Sequence, residues 1–245
     1  TLHHNYDRDL WRLYQAHPEV TYVSISERQL QLNGPFMHGA VIHHGIDPAR
    51  YRLGPVRAEE AAFLGRLSRV KGPHVALDVA RRSGLRLRVA GRAHKEDSPY
   101  FEAEVEPRLQ EAHVEYLGEL SHEPKAALLS TARALLFPID WEEPFGLVAV
   151  EAMLSGCPVI AFGRGSVPEI LDEGITGFVA RDEEHMVELL REGPACPEVF
   201  DRRRCRARAI SRFAASRMVD DYLRVYTAAR SASAHPHPSA GASPT

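Results

Sequence analysis

The sequence is poor in cysteine and contains no long apolar run. Its 245 residues include three cysteines, Cys157, Cys196 and Cys205, and none of them lies in a CxxC pair. This argues against a disulfide framework and against a zinc ribbon, so we expect the three thiols to be reduced and structural. No apolar stretch reaches the roughly 18 residues of a membrane-spanning helix, and no secretory signal is recognisable. These absences predict a cytoplasmic protein without a transmembrane segment.

An excess of charge of one sign is also missing. The 30 Lys and Arg residues nearly balance the 33 Asp and Glu residues, which gives a formal net charge of -3. Because no overall basic field would attract nucleic acid, we expect no nucleic-acid partner. With 44% hydrophobic and 26% charged residues, the composition is that of a globular protein with a sizeable core.

The two ends of the chain differ from its middle. Thr1-Leu2-His3-His4 looks like the end of a strand already under way, so we interpret the sequence as a fragment of a longer protein. Residues 231–245 contain only Ser, Ala, Pro, His, Gly and Thr, which leaves almost nothing to bury. We predict a disordered tail there.

Short apolar runs alternate with amphipathic stretches between Ala61 and Phe178. This alternation is typical of βαβ units with a parallel sheet. The predicted strands cover residues 61–65, 85–91, 114–118, 134–138, 158–162 and 177–180. We therefore predict an α/β fold with a Rossmann-like domain over residues 60–213, in which ligands bind beyond the carboxyl ends of the strands.

The predicted helices alternate with these strands and flank them. Pro73 suits a first helical turn, Ser121 suits an N-cap, and Asp182 precedes a third amphipathic stretch. Residues 1–45 contain one predicted helix (7–16) and two predicted strands (21–25 and 40–42). So short a segment is close to the lower limit for independent folding, and we interpret it as the last part of an N-terminal domain. Residues 46–59 are predicted to be a hinge, and residues 214–230 a C-terminal helix.

Basic residues occupy the loop after the first of the six strands. Gly65 and Gly72 allow tight turns, while Arg66 and Lys71 lie on either side of the loop. A bidentate guanidinium and an ammonium could both reach a diphosphate. The alternative is a solvated basic loop, because Arg and Lys are common in surface turns.

The loop after the fourth strand is richer in chemistry. Pro144 predicts the start of a helix, whose free amides at Phe145, Gly146 and Leu147 would attract an anion. Glu143 lies just ahead of this helix, and Glu151 lies roughly 6 to 9 Å along it. One carboxylate for each hydroxyl-rich end and cations for an anionic middle would suit a nucleotide diphosphate-sugar.

A simpler interpretation of the two carboxylates has to be weighed. Glu143 could be an ordinary first-turn acid favoured by the helix dipole, and Glu151 a surface residue. However, Glu151 lies inside the apolar stretch 147–153. An unpaired carboxylate there would be unfavourable, which favours a ligand or a buried partner.

Several ordered motifs resemble those of retaining glycosyltransferases of family 4, which have the GT-B fold. The resemblance runs from about His43 to Val179. The motifs are Gly65-Arg66 with Lys71-Gly72, Glu143-Pro144-Phe145-Gly146-Leu147 with Glu151, Gly156-Cys157-Pro158-Val159-Ile160-Ala161, Gly165-Ser166-Val167-Pro168-Glu169 and Glu173-Gly174-Ile175-Thr176-Gly177-Phe178. His44 replaces the Asn that is usual in the family before Gly45-Ile46-Asp47.

The resemblance implies roles for individual residues. Arg66 and Lys71 would neutralise the donor diphosphate, Glu151 would bind the ribose hydroxyls, and Glu143 would contact the donor sugar. The remaining residues implied at the donor or the active site are Gly65, Phe145, Gly146, Leu147, Glu119, Leu120 and His3. Of these, Glu119 and Leu120 would lie near the base, and His3 would face the active site from the N-terminal, acceptor-side domain.

These observations predict transfer of a sugar from a UDP-sugar or GDP-sugar to a hydroxyl of a saccharide, lipid or small-molecule acceptor. The resemblance implies retention of anomeric configuration. Arg66, Lys71 and the helix amides would stabilise charge on the leaving phosphate in place of a divalent metal. We therefore expect no metal and no cofactor. Arg66, Lys71, Glu143 and His3 are the predicted catalytic residues.

Three alternatives remain beside this prediction. The chain could bind the donor nucleotide without catalysing transfer, because part of the N-terminal domain is missing from it. A dinucleotide-dependent oxidoreductase is disfavoured, because the loop after Gly65 lacks Gly-x-Gly-x-x-Gly. A zinc site built on His3-His4 and His43-His44 is disfavoured too, because adjacent side chains diverge in extended backbone whereas zinc needs converging ligands.

Overall fold

A computed structural model describes residues 1–5, 8–34, 36, 38–55, 59–191, 195 and 199–233. In the N-terminal segment (residues 1–45), strands β1 (Tyr22–Ser24) and β2 (Gly39–Val41) form a parallel two-stranded sheet. Helix α1 (Arg8–Gln15) precedes the sheet, and helix α2 (Glu27–Asn33) connects its strands. The predicted helix and both strands are confirmed within a residue or two; Asp7, the predicted helix start, lies outside the described residues.

Helix α2 was not predicted from the sequence. Ser26 is its N-cap, and the Ser26 hydroxyl accepts a hydrogen bond from the Gln29 amide at 3.0 Å. The Gln29 side chain in turn accepts from the Ile25 amide at 2.8 Å. Ser-x-x-Gln is a helix-start pattern, so the signal was present in the sequence.

Six parallel strands form the main sheet, as predicted. The strands are β3 (Glu60–Leu64), β4 (Arg86–Ala90), β5 (Val114–Tyr116), β6 (Leu135–Phe137), β7 (Val159–Phe162) and β8 (Gly177–Ala180). Their spatial order is β5-β4-β3-β6-β7-β8. The chain therefore leaves β3 in one direction and β6 in the other, which creates a crevice at the carboxyl ends of these two neighbouring strands.

Helices cover this sheet in two groups. The helices are α3 (Pro73–Ser83), α4 (His122–Thr131), α5 (Leu147–Leu154), α6 (Val167–Ile170), α7 (Glu183–Arg191), α8 (Arg202–Phe213) and α9 (Ala215–Ser233). Helix α3 packs on α7, while α5 packs on both α4 and α8. Right-handed crossovers running in opposite directions place such groups on opposite faces of the sheet. The central strands β3, β6 and β7 are mostly buried, as a parallel sheet requires, whereas the edge strand β5 is partly exposed.

The start of helix α5 corrects a prediction. We expected the helix to begin at Pro144, but it begins at Leu147, after Gly146 in a left-handed conformation (φ 84°). The Phe145 carbonyl accepts a hydrogen bond from the Ser166 hydroxyl at 2.9 Å, so it takes no part in the helix. Phe145 itself is buried, and the chain must turn at Gly146 before the helix can start.

Helix α9 packs against the N-terminal segment. The Ala215 amide donates to the Ile46 carbonyl at 3.0 Å, and the Gly45 amide donates to Met218 Sδ at 3.1 Å. The hydroxyls of Thr1 and Tyr222 lie 2.7 Å apart. The sequence alone did not indicate whether this helix packs against the N-terminal segment. The structure shows that it does.

Two further expectations concern cysteine and membranes. Cys157 and Cys205 are buried and free, as predicted, and burial raises the pKa of the Cys157 thiol to about 12. Cys196 lies outside the described residues. The disordered tail was predicted from residue 231, but residues 231–233 belong to helix α9, and residues 234–245 lie outside the described residues. Across the described ranges, no helix combines the length and the apolar character that a bilayer span demands.

Candidate active site

A cleft of about 770 Å³ opens at the carboxyl ends of the central strands. All the site residues predicted from the sequence line it, namely His3, Gly65, Arg66, Lys71, Glu119, Leu120, Glu143, Phe145, Gly146, Leu147 and Glu151. Lys125 also lines the cleft, and the sequence analysis did not name it. Residues from the N-terminal segment and from four loops of the main domain thus converge at one place.

The first carboxylate of the cleft belongs to a compact group that we call the Glu143 cluster (Lys71, Trp141 and Glu143). Oε2 of Glu143 accepts hydrogen bonds from the Lys71 ammonium and from Trp141 Nε1, the latter at 2.8 Å. The ammonium also lies 4.8 Å from the centre of the Trp141 ring, within range of a cation–π interaction. The Glu143 side chain is only 9% exposed, and the lysine supplies the counter-charge that such burial requires.

The position of Lys71 depends on the glycine that follows it. Gly72 has φ 70°, and a Cβ built there would lie 2.2 Å from the Pro138 carbonyl oxygen. This close approach brings the loop after β3 against the loop after β6. Lys71 can therefore reach a carboxylate that lies 72 residues further along the chain.

The second carboxylate belongs to the Glu151 cluster (Tyr51, Lys125 and Glu151). Oε1 of Glu151 accepts a hydrogen bond from the Tyr51 hydroxyl at 2.8 Å and another from Lys125 Nζ at 2.5 Å. Burial, followed by the charge of Glu151, raises the pKa of the Tyr51 phenol. The sequence predicted a ligand or a buried partner for this carboxylate, and the structure supplies two partners.

Arg66 contacts acidic residues of the loop after β4. Its guanidinium lies 3.3 Å from Glu96 Oε1 and 3.4 Å from Asp97 Oδ2. The Arg66 side chain is 38% exposed, so this ion pair is weakened by solvent and can yield to a stronger anion. The Arg66 guanidinium is partly exposed and held by weak ion pairs, so it is accessible to an anionic ligand.

The amino end of α5 supplies backbone donors. In the part of the chain that the structure describes, the amides of Phe145, Gly146, Leu147 and Val148 have no hydrogen-bond partner. The three predicted amides are therefore without partners, and the amide of Val148 joins them. Phe145 precedes the helix, and its ring forms a wall of the cleft beside His44, with the ring centres 5.1 Å apart.

Histidines from the N-terminal segment form another wall. The rings of His3 and His44 are stacked, with centres 5.3 Å apart and planes 9° apart. Burial, together with the charges of His3 and His43, lowers the pKa of His44. His3 therefore reaches the cleft wall and stacks there on His44, the residue that stands where the family usually has Asn.

Glu119 and Leu120 line a more open part of the cleft. The Glu119 carboxylate lies 3.2 Å from Arg92 Nε, and both of these side chains are mostly exposed. Leu120 is half-buried and packs against the core. This wall therefore offers polar and apolar contacts with little burial.

One group of side chains near the cleft has a metal-compatible arrangement. Ligand atoms of His94, Glu96 and Asp97 lie within 4.8 Å of one another. The same two carboxylates contact the Arg66 guanidinium. A metal ion bound there would compete with Arg66 for both carboxylates, so the group is explained at least as well by its ion pairs with Arg66 as by metal binding.

The N-terminal segment also binds the loop that carries Glu143 and the start of the neighbouring helix α6 through ion pairs and hydrogen bonds. Arg28 forms a bidentate ion pair with Glu142, with N–O distances of 2.8 and 2.9 Å. Glu169 accepts hydrogen bonds from the amides of Glu27 at 2.8 Å and Arg28 at 3.1 Å. Burial opposes ionisation of Glu169, but contact with His43 and these amides outweigh it and lower its pKa.

Comparisons with known proteins agree with this picture. The family model described as "Glycosyl transferases group 1" matches residues 54–211. A glycogen synthase from Mycobacterium tuberculosis is 32% identical over 246 residues, covering 93% of this chain and 58% of that protein. A D-inositol 3-phosphate glycosyltransferase from Mycobacterium bovis is 34% identical over 169 residues, covering 60% of this chain and 35% of that protein.

A solved structure shares the fold. The Anabaena protein HepE, in complex with UDP and glucose, superposes with a TM-score of 0.76 at 18% identity, covering 91% of this chain and 68% of that one. The present chain spans little more than half the length of the glycogen synthase, and about a third of the inositol phosphate enzyme is matched. What these proteins bind and transfer is a property of the longer molecules.

Proposed function

This chain belongs to the glycosyl transferases group 1 family, and from that premise we propose that it transfers a sugar from a nucleotide diphosphate-sugar to a hydroxyl acceptor. Its parallel α/β sheet and its Rossmann-like topology are those of GT-B glycosyltransferases. The observation that supports the proposal most is the cleft, in which two carboxylate clusters flank a helix amino terminus and a guanidinium. An extended ligand with hydroxyls at both ends and phosphates between them has the matching chemistry.

Arg66, Lys71 and the free amides of α5 are proposed to bind the diphosphate. When the bond between the anomeric carbon of the sugar and the phosphate oxygen breaks, negative charge accumulates on the terminal phosphate of the nucleoside diphosphate. A guanidinium, an ammonium and fixed amide dipoles can stabilise that charge without rearranging at the moment of reaction. We propose on this basis that the reaction needs neither a metal nor a cofactor.

The two carboxylates are proposed to bind the hydroxyl-rich ends of the donor. Glu151 would bind the ribose, Glu143 would bind the donor sugar, and Glu119 and Leu120 would lie near the base. His3 would face the sugar from the N-terminal segment, because its stack with His44 places it on the cleft wall. The motif order supports family 4 and retention of configuration, with the leaving phosphate helping to deprotonate the acceptor.

The proposed division of the chain follows from the same considerations. Residues 1–45 would be the end of an acceptor-side domain, 46–59 a hinge, 60–213 the donor domain and 214–230 a returning helix. Because the matched relatives are transferases, transfer is favoured over binding without transfer. HepE was solved with UDP, which supports a uridine nucleotide as the first donor to test, with guanosine nucleotides next.

The proposal is tested by calorimetry with UDP, GDP and their sugar conjugates. Glu151→Ala and Lys71→Ala should each weaken binding by about 1 to 3 kcal/mol, the range for losing a charged hydrogen bond. Glu188→Ala and Lys95→Ala are matched controls, because both residues are exposed and lie outside the cleft. Unchanged affinity in both cleft variants would contradict the site assignment. A sugar-transfer assay on the same samples separates transfer from binding alone.

A further inference from the structure

Both donors in the Glu151 cluster bind the same carboxylate oxygen. The Tyr51 hydroxyl and the Lys125 ammonium both donate to Oε1, at 2.8 and 2.5 Å. Within the described residues, the structure shows no hydrogen bond to Oε2 of Glu151. Glu151 and Lys125 both line the cleft, so the Glu151 side chain, which carries the unpaired Oε2, borders the space that a ligand would occupy.

The donors come from separate parts of the fold. Tyr51 lies ahead of β3, is 2% exposed, and packs edge-on against the His122 ring with centres 5.1 Å apart. Lys125 lies in the first half of α4, and Glu151 in the middle of α5. Since three elements must be in place for both bonds to form, the direction of the carboxylate is set by the tertiary structure.

A purely structural carboxylate would be expected to look different. One lysine supplies the counter-charge that Glu151 needs, and a second donor would then satisfy the other oxygen. Here the second donor is a phenol placed on the oxygen that is already bound to lysine. This arrangement holds the side chain still while leaving one acceptor oxygen available.

We propose that Tyr51 and Lys125 are positioning residues, which aim the free oxygen of Glu151 at a hydroxyl of the ligand and so make binding depend on an intact ribose. The inference rests on the proposed function, because it takes the ligand to be a nucleoside diphosphate. It predicts that the two residues affect the ribose and leave the diphosphate contacts unchanged.

The test uses three ligands of the full chain in calorimetry. They are UDP or GDP, whichever the wild-type protein binds more tightly, its 2′,3′-dideoxy analogue, and pyrophosphate. Tyr51→Phe keeps the packed ring and removes only the hydroxyl. It should weaken binding of the ribonucleotide about fivefold and change binding of the other two ligands less than twofold. Lys125→Met should act in the same direction, and Lys125→Arg should recover part of the loss.

Tyr100→Phe is the matched control. The Tyr100 hydroxyl is also hydrogen-bonded to one side chain, His74 Nδ1, at 2.6 Å, but Tyr100 does not line the cleft. This variant should bind all three ligands as the wild type does. If Tyr51→Phe does not fold, the Lys125 pair of variants carries the test alone.

The outcomes separate this inference from the proposed function. A wild-type protein that binds no nucleoside diphosphate overturns both. A wild-type protein that prefers the ribonucleotide, with Tyr51→Phe and Lys125→Met keeping that preference, overturns only the positioning role. An equal loss for all three ligands overturns it as well, because it would indicate general damage to the cleft.

Discussion

The Glu143 cluster and the Glu151 cluster each combine a carboxylate, a lysine and an aromatic donor, but the two aromatic donors have different surroundings. In each, one carboxylate oxygen accepts a lysine ammonium and an aromatic N–H or O–H. Trp141 lies two residues from Glu143 in the same loop and is 37% exposed. Tyr51 lies 100 residues from Glu151 and is 2% exposed. The aromatic donor is therefore local and partly exposed in the Glu143 cluster, whereas in the Glu151 cluster it is buried and distant in sequence. Both ion pairs join separate elements.

This difference indicates how the two clusters respond to a ligand. Groups held by few buried contacts open at low free energy, whereas groups fixed by core packing move only with larger rearrangements. The loop of the Glu143 cluster is anchored further by the Arg28–Glu142 ion pair, whose side chains are both partly exposed. We infer that the aromatic donor of the Glu143 cluster is adaptable and that the aromatic donor of the Glu151 cluster is preorganised. The predictions below separate the two.

The largest expected effect is a difference in pyrophosphate affinity between variants of Lys71 and Lys125. Lys71→Met should weaken binding of pyrophosphate at least tenfold, because the variant loses a cation proposed to contact the diphosphate. Lys125→Met should change the same affinity less than twofold, because Lys125 is proposed to position Glu151 and not to contact the diphosphate. Calorimetry with pyrophosphate alone measures both. Equal losses in the two variants would show that the clusters serve the same part of the ligand.

The sequence allowed the Glu143 cluster to be approached more closely than the Glu151 cluster. Lys71 and Glu143 were both predicted at the site, because each follows a strand of a parallel sheet and such loops meet at one edge. Their ion pair could not be predicted, since it depends on the close approach of Gly72 to the Pro138 carbonyl. The sequence pattern identified the loops after β3 and β6, but the contact between these loops depends on the tertiary structure.

Tyr51 and Lys125 were missed for physical reasons. Tyr51 precedes the first strand of the main sheet, outside the loops in which ligands are expected. Lys125 lies near the start of helix α4, where a lysine is ordinarily solvated. Helix α2, in contrast, carried a usable signal in Ser26 and Gln29. The start of α5 was misjudged because Pro144 suits a first turn, while the buried ring of Phe145 prevents the helix from beginning there.

The second prediction compares the aromatic donors through stability. Tyr51→Phe should lower the free energy of unfolding by about 1 kcal/mol, because it removes one buried hydrogen bond to a charged group. Trp141→Phe should lower it by only about 0.3 kcal/mol, since Trp141 is partly exposed and its loop can adjust. Urea unfolding of both variants beside the wild type provides the measurement. Losses of similar size would remove the distinction between a local and a tertiary aromatic donor.

The smallest expected effect is a dependence on pH that only the Glu151 cluster should show. Burial and the charge of Glu151 raise the pKa of Tyr51 above the value near 10 that an unfolded tyrosine has. Above about pH 10 the unfolded chain ionises this phenol before the folded chain does, so the stability that Tyr51 contributes is complete at lower pH and declines as pH rises. The wild type should therefore lose roughly 0.8 kcal/mol relative to Tyr51→Phe between about pH 8 and pH 10.5. Trp141→Phe removes no titrating group, and its difference from the wild type should stay constant over that range. A gap between wild type and Tyr51→Phe that widens or stays level as the pH rises would show that the phenol is not buried against a carboxylate.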